Sequence, residues 1–161
     1  MTKAMKMTLL TVGKTDVQWV RDGLDLYSSR LKHYVPFTVT EIPELKGVSA
    51  LTQAQIKEKE GKLILASLKP SDEVWLLDEH GREYRSLEFA SFIGERMSRG
   101  GRDLVFVIGG AYGFSEEVYA RADGKISLSK MTFSHQMVRT IFAEQLYRSF
   151  TILKNEPYHH E

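Results

Sequence analysis

Two hydrophobic rhythms alternate along the chain. Met7-Thr8-Leu9-Leu10-Thr11-Val12 is a short apolar run closed by Gly13-Lys14 and predicts a strand over 6–12. Over 15–34 the apolar positions Val17, Val20, Leu24 and Leu31 fall at helical spacing behind Asp16. Phe37-Thr38-Val39-Thr40-Glu41-Ile42 alternates with period two, a strand ended by Pro43. A short loop at 47–50 leads to a helix over 52–68, whose Ile56, Leu63, Ile64 and Leu68 supply a core face and which Gly61 weakens. After a turn at Pro70-Ser71-Asp72, residues 73–78 predict a strand ended by His80-Gly81. A helix over 86–98 carries Leu87, Phe89, Ile93 and Met97 and stops at Arg99-Gly100-Gly101. Leu104-Val105-Phe106-Val107-Ile108 is apolar on both faces and predicts a central, parallel strand. A short helix over 115–121 has Ser115 as cap and two glutamates in its first turn. A short strand over 125–128 and a long helix from a cap at Ser134 to 154 complete the pattern.

Strands alternating with helices define an α/β domain with a mostly parallel sheet flanked by helices, one domain over 1–161. Right-handed crossovers favour a flavodoxin-like or Rossmann-like strand order, between which periodicity does not choose.

Composition narrows the chemistry. With 42% hydrophobic residues the chain can build a core without staples. It has no cysteine, which excludes disulfides, thiolate metal sites and a cysteine nucleophile and fits a reducing cytoplasm. The charged start lacks the long apolar stretch of a signal peptide. Nothing approaches the roughly 18 apolar residues of a membrane span, so no membrane partner is expected. A net charge of +1 argues against electrostatic gripping of long nucleic acid, and DNA is not expected. RNA presented in a preformed shape stays open. His33, His80 and His135 show no metal-ligand spacing, so no metal is expected. There is no G-x-S-x-G elbow of a serine hydrolase.

Four segments carry candidate chemistry. Gly109-Gly110-Ala111-Tyr112-Gly113 follows the most apolar strand. It is neither a dinucleotide fingerprint nor a Walker loop. It reads either as a tight turn or as bare backbone that a ligand approaches closely, and three glycines in five residues favour the ligand. Leu128-Ser129-Lys130-Met131-Thr132-Phe133 offers main-chain groups and apolar flanks to a planar base, or is simply a helix entry. In the last helix Glu144 and Arg148 stand at i, i+4, an ordinary ion-pair spacing. A second apolar stripe of Val138, Ile141, Leu146, Phe150 and Leu153 implies either deep burial or a dimer interface. Tyr158-His159-His160 reads as a frayed end, or as groups for stacking and proton transfer.

Together these segments resemble a known family. The pieces are Val107-Ile108-Gly109-Gly110-x-x-Gly113, Leu128-Ser129-x-Met131-Thr132-Phe133-x-His135-Gln136-Met137-Val138-Arg139, Glu144-Gln145-Leu146-Tyr147-Arg148 and Asn155-Glu156-Pro157-Tyr158-His159. The start Met7-Thr8-Leu9-Leu10-Thr11-Val12-Gly13-Lys14 and Lys57-Glu58-Lys59-Glu60-Gly61 extend the match over essentially the whole chain. They are similar to the ribosomal large subunit methyltransferase H family, SPOUT-class enzymes that methylate N3 of a pseudouridine in 23S ribosomal RNA. Ser134 stands where the family favours proline.

The resemblance implies a fold with a C-terminal trefoil knot, S-adenosylmethionine as methyl donor and no metal. It implies donor binding by Leu77, Gly109, Gly110, Leu128, Ser129, Lys130, Met131, Thr132 and Phe133. It further implies a cytoplasmic homodimer with the last helix in its interface and a site composed across two subunits. Glu144, Arg148, Tyr158 and His159 are the catalytic candidates, His159 for proton transfer or base contact and Tyr158 for stacking. Arg139 and His135 are expected on the substrate. The near-neutral charge favours an assembled ribosome over naked RNA. The rival readings are a non-catalytic module binding an adenosine-like ligand, a SPOUT enzyme acting on transfer RNA and, more remotely, a flavodoxin-like electron carrier.

Overall fold

The computed structural model describes residues 5–160; residues 1–4 of the charged start and Glu161 of the tail lie outside the described residues. The elements run β1 (Met7–Val12), α1 (Gln18–Leu31), β2 (Phe37–Ile42), α2 (Gln53–Ala66), β3 (Glu73–Glu83), α3 (Ser86–Arg99), β4 (Leu104–Ile108), α4 (Glu116–Arg121), β5 (Gly124–Ser127) and α5 (Met137–Leu153). All strand pairs are parallel, in the order β2-β1-β4-β3-β5. This is neither of the two orders expected. Relative to the flavodoxin order, β3 and β4 have exchanged places. β4 therefore sits mid-sheet, paired on one side with β1 and on the other with β3, and every one of its residues is buried.

The period-two pattern divides the core. Met7 and Leu9 of β1, with Leu104, Phe106 and Ile108 of β4, face α1, α3 and α5 through Leu24, Ile93, Phe142 and Leu146. Leu10 and Val12, with Val105 and Val107, face α2 and α4 through Ile64 and Val118. Phe106 meets Phe142 with ring centroids 4.7 Å apart, so β4 and α5 form the centre of the larger layer.

Where elements differ from their sequence patterns, tertiary contacts are the cause. α1 begins at Gln18 and not near Thr15, because the Thr15 carbonyl, which a helix starting there would need, accepts from Arg21 Nη2 instead. α3 buries Phe89 and Ile93 but leaves Leu87 and Met97 exposed. Ser134 does accept from the Met137 N–H at 3.0 Å, although the helix itself starts only at Met137. β3 continues five residues beyond Asp78, shifting register against β5 between Leu77 and Arg82. Gly61 lets α2 press on the Ser115 cap of α4, at a spot where a β-carbon would collide with the Ser115 hydroxyl.

Arg139 locks α5 to the sheet. Its side chain has no exposed surface. Nη1 donates to the Gly13 carbonyl at 2.9 Å and to Thr15 Oγ1 at 2.8 Å. Nη2 donates to the Val12 carbonyl at 2.8 Å and Nε to the His135 carbonyl at 3.0 Å. Glu41 lies 3.7 Å from Nη1. Burial works against the charge of Arg139, and Glu41 supports it. Glu41 is itself held below its ordinary value: burial pushes it up, but hydrogen bonds from Thr15 and the nearby Arg139 prevail. The substrate contact expected of Arg139 is thus corrected, since a guanidinium spent on main-chain carbonyls has no surface to offer RNA. Arg139→Met should cost about 3–5 kcal/mol, because it takes the donor from the Val12, Gly13 and His135 carbonyls and from Thr15 Oγ1 together. A fall in the urea midpoint with unchanged slope would register this loss.

Candidate functional site

A cavity of about 660 Å3 opens at the carboxyl ends of β3, β4 and β5. Its size is ordinary for a small-molecule site. One wall is Leu77 with Asp78, Glu79 and His80 of β3. The floor is Ile108 and the glycine loop through Phe114, where Gly113 adopts φ 84° and returns its N–H to the Gly110 carbonyl. The second wall is Ser127–Ser129 and the loop from Met131 to His135. Of the residues expected on a donor, Leu77, Gly109, Gly110, Leu128, Ser129, Met131, Thr132 and Phe133 line this cavity. His135, expected on substrate, lines it too. Lys130 does not. The loop turns there, with the Met131 N–H on Ser129 Oγ at 3.0 Å, and Lys130 faces solvent.

Sequence reasoning missed part of the wall. Thr132 donates to Glu79 at 2.9 Å and clasps the loop to the extension of β3. Asp78 accepts from the Tyr119 hydroxyl and from the His80 N–H. Burial, then the bond to Asp78, pushes the Tyr119 phenol far above its usual range. The available signal was two carboxylates directly after a strand whose preceding residue, Leu77, was already a candidate. No lysine or arginine is among the lining residues, so the cavity suits a ligand bearing positive charge.

The other candidates gather elsewhere. Arg148 Nη2 donates to Glu144 Oε2 at 2.8 Å, and Tyr158 donates to the same oxygen at 2.8 Å. Arg148 Nη1 lies 3.1 Å from His159 Nδ1, and its guanidinium carbon 4.8 Å from the Tyr158 ring centre. The tail is folded back and not frayed: Asn155 turns it with φ 59°, and Tyr34 donates to Glu156 at 2.9 Å. The Tyr158 ring meets Tyr147 edge-on at 4.8 Å. Burial first, then bonds to Tyr27 and Glu144, raises the Tyr158 phenol far beyond neutrality, so it stays protonated. Glu144, Arg148, Tyr158 and His159 are therefore one connected cluster, yet none of them lines the cavity. Within a single chain the two halves of the expected site stand apart.

A cavity at the strand ends of a parallel sheet, walled by a C-terminal loop, is the ligand site of a layered α/β domain. The chain matches the family described as "Predicted SPOUT methyltransferase" over residues 5–159, and it belongs to that family. Relatives named ribosomal RNA large subunit methyltransferase H match nearly the whole chain. The one from Christiangramia forsetii is 57% identical over 97% of this chain and 99% of its own length. That from Parabacteroides distasonis is 54% identical over 98% of this chain and all of its own. A probable methylase family protein from Haemophilus influenzae has the same fold. Its TM-score is 0.52 at 11% identity, over 98% of this chain and 70% of that one.

Anchoring of the tail carries a pH signature. Burial, then Glu156, pushes the Tyr34 phenol up from 10.0 to about 12. A raised folded-state value means the stabilisation is complete below pH 10 and is lost as pH rises through about 12. Melting temperature should fall across that window, and Tyr34→Phe should flatten the fall.

Proposed function

We propose that this chain transfers the methyl group of S-adenosylmethionine to N3 of a pseudouridine in large-subunit 23S ribosomal RNA, on the assembled ribosome in the cytoplasm. The observation that carries the donor half is the cavity itself. It presents bare backbone at Gly109 and Gly110, a walled loop from Leu128 to Phe133, and carboxylates but no lysine or arginine. S-adenosylmethionine, when bound, supplies an electrophilic methyl on a cationic sulfur. The apolar Leu77, Leu128 and Met131 would flank its adenine, and main-chain groups of the two loops would read the base edge. Residues 128–136 cross from edge strand β5 to the end of β1, which supports the reading of a knotted path. Gln136 fixes it by donating to the Lys14 carbonyl at 2.9 Å.

The acceptor half uses the tail cluster. Arginine carries donors only, so Arg148 must donate to His159 Nδ1, and a neutral His159 carries its proton on Nε2. In that tautomer His159 is a donor. It would bond a carbonyl oxygen beside N3 and stabilise the negative charge that develops as the imide proton passes to water, while N3 takes the methyl as its bond to sulfur breaks and neutral S-adenosylhomocysteine departs. Arg148 holds the ring, while Glu144 and the protonated Tyr158 hold Arg148. A homodimer brings the cluster of one subunit to the cavity of the other. Exposed apolar side chains on the packed pair α1 and α5, Trp19, Leu26 and Leu153, support that contact.

Labelled S-adenosylmethionine offered with ribosomes from cells lacking the activity, with isolated subunits and with naked rRNA should label large-subunit rRNA, best on assembled ribosomes. A Tyr158→Ala/His159→Ala variant should lose about a hundredfold or more in turnover while donor binding persists. Unaltered turnover would remove the tail from the mechanism. Donor binding with no label in any ribosomal substrate would point to a binding module or to transfer RNA.

A further inference from the structure

Glu60 of α2 has a buried Oε1 with no hydrogen-bond partner, as has Asp72 Oδ1, but the other oxygen of Asp72 accepts from the Lys69 N–H and Glu60 alone of the two stands beside the cavity loop. Its carboxyl lies flat against Gly110: a β-carbon there would come within 2.7 Å of Oε1 and 2.8 Å of Oε2. Gly110 lines the cavity and Glu60 does not, so the acid supports the loop without meeting what the loop holds. A second carboxylate, Glu44, fills the corresponding space beside Gly13 at the end of the neighbouring strand β1, 2.7 Å from where a β-carbon would stand. Burial, then Glu44, raises the Glu60 carboxyl above its ordinary range.

The placement is enforced. Thr52 and Gln55 close a capping box at the start of α2, Ile64 is buried, and Gly61 is wedged against Ser115. Glu60 is thus held against the loop by its helix. A buried acceptor without a donor costs free energy in the empty protein. Local violations of this kind concentrate at functional positions.

We propose that Glu60 is a positioning residue for the cavity, an inference that rests on the donor-binding reading above. When the donor enters, the 109–113 loop shifts slightly and gives Oε1 a main-chain N–H. That bond fixes the loop in its binding form. The acceptor oxygen matters here, not the charge.

The test compares wild type, Glu60→Ala and Glu60→Gln in two measurements: calorimetric titration with S-adenosylmethionine and with S-adenosylhomocysteine, and melting of the empty protein. Glu60→Ala should raise both dissociation constants by about tenfold, the worth of one hydrogen bond. Glu60→Gln keeps an acceptor and should stay within about threefold of wild type. Empty Glu60→Ala should melt no lower than wild type, because it sheds an unpaired buried acceptor. A merely structural role would lower its melting temperature, and that result overturns the proposal. Unchanged binding by Glu60→Ala also overturns it, as does a Glu60→Gln variant as weak as Glu60→Ala. Wild-type protein that binds neither ligand would defeat the donor-cavity reading and the proposal with it. Normal wild-type binding alongside any of the other adverse results defeats the Glu60 role alone.

Discussion

Arg139 sends its guanidinium to the end of β1 and binds Val12, Gly13 and Thr15 there while holding the His135 carbonyl behind it. This buried charge decides where the last third of the chain can go. It draws the first turn of α5 over the sheet, and so draws the loop before it across the ends of β3 and β4. That loop becomes a cavity wall only because it is pulled taut at one end by Arg139 and clasped mid-way by Thr132 on Glu79. The outer face of α5 then presents Glu144 and Arg148, one turn apart, at a fixed place. A charge this deep is costly to bury, and what it returns is a single path for a segment that must pass close to three strand ends.

The same geometry explains why the two chemical parts stand apart. The cavity opens at the strand ends, whereas Tyr158 and His159 fold back on α5 and bond within their own cluster. A small chain of near-neutral charge gains from such a division. In the proposed dimer, one subunit would grip a small charged ligand, the other would present a rigid donor group, and the RNA would be met where they join. Rigid presentation would matter there because methyl transfer needs the attacking nitrogen held in line with the sulfur–methyl bond.

Much of this was legible in the sequence, for local reasons. Leu104–Ile108 announced a buried parallel strand by being apolar on both faces, and its glycines marked the floor of the cavity. Tyr158 and His159 were found as a motif, though nothing local showed that Asn155 and Tyr34 would fold the tail back. The strand order was not legible, because it is set by crossovers whose partners lie far apart in sequence. The extension of β3 was hidden under polar residues that usually end a strand. Arg139 misled because arginine is seldom buried. Its spacing from Phe142, Leu146 and Phe150 nonetheless places it on the buried stripe of α5, which is the signal that would have found it.

Mixing two inactive proteins tests the divided site most directly. One would carry a defect confined to the cavity, the other Tyr158→Ala/His159→Ala, and the two would be unfolded and refolded together before assay on ribosomes. If the site is composed across subunits, half of the dimers are mixed and each holds one intact site, so about a quarter of wild-type activity returns. If each chain builds its own site, mixing restores nothing, and the account of a cavity completed by its neighbour is wrong.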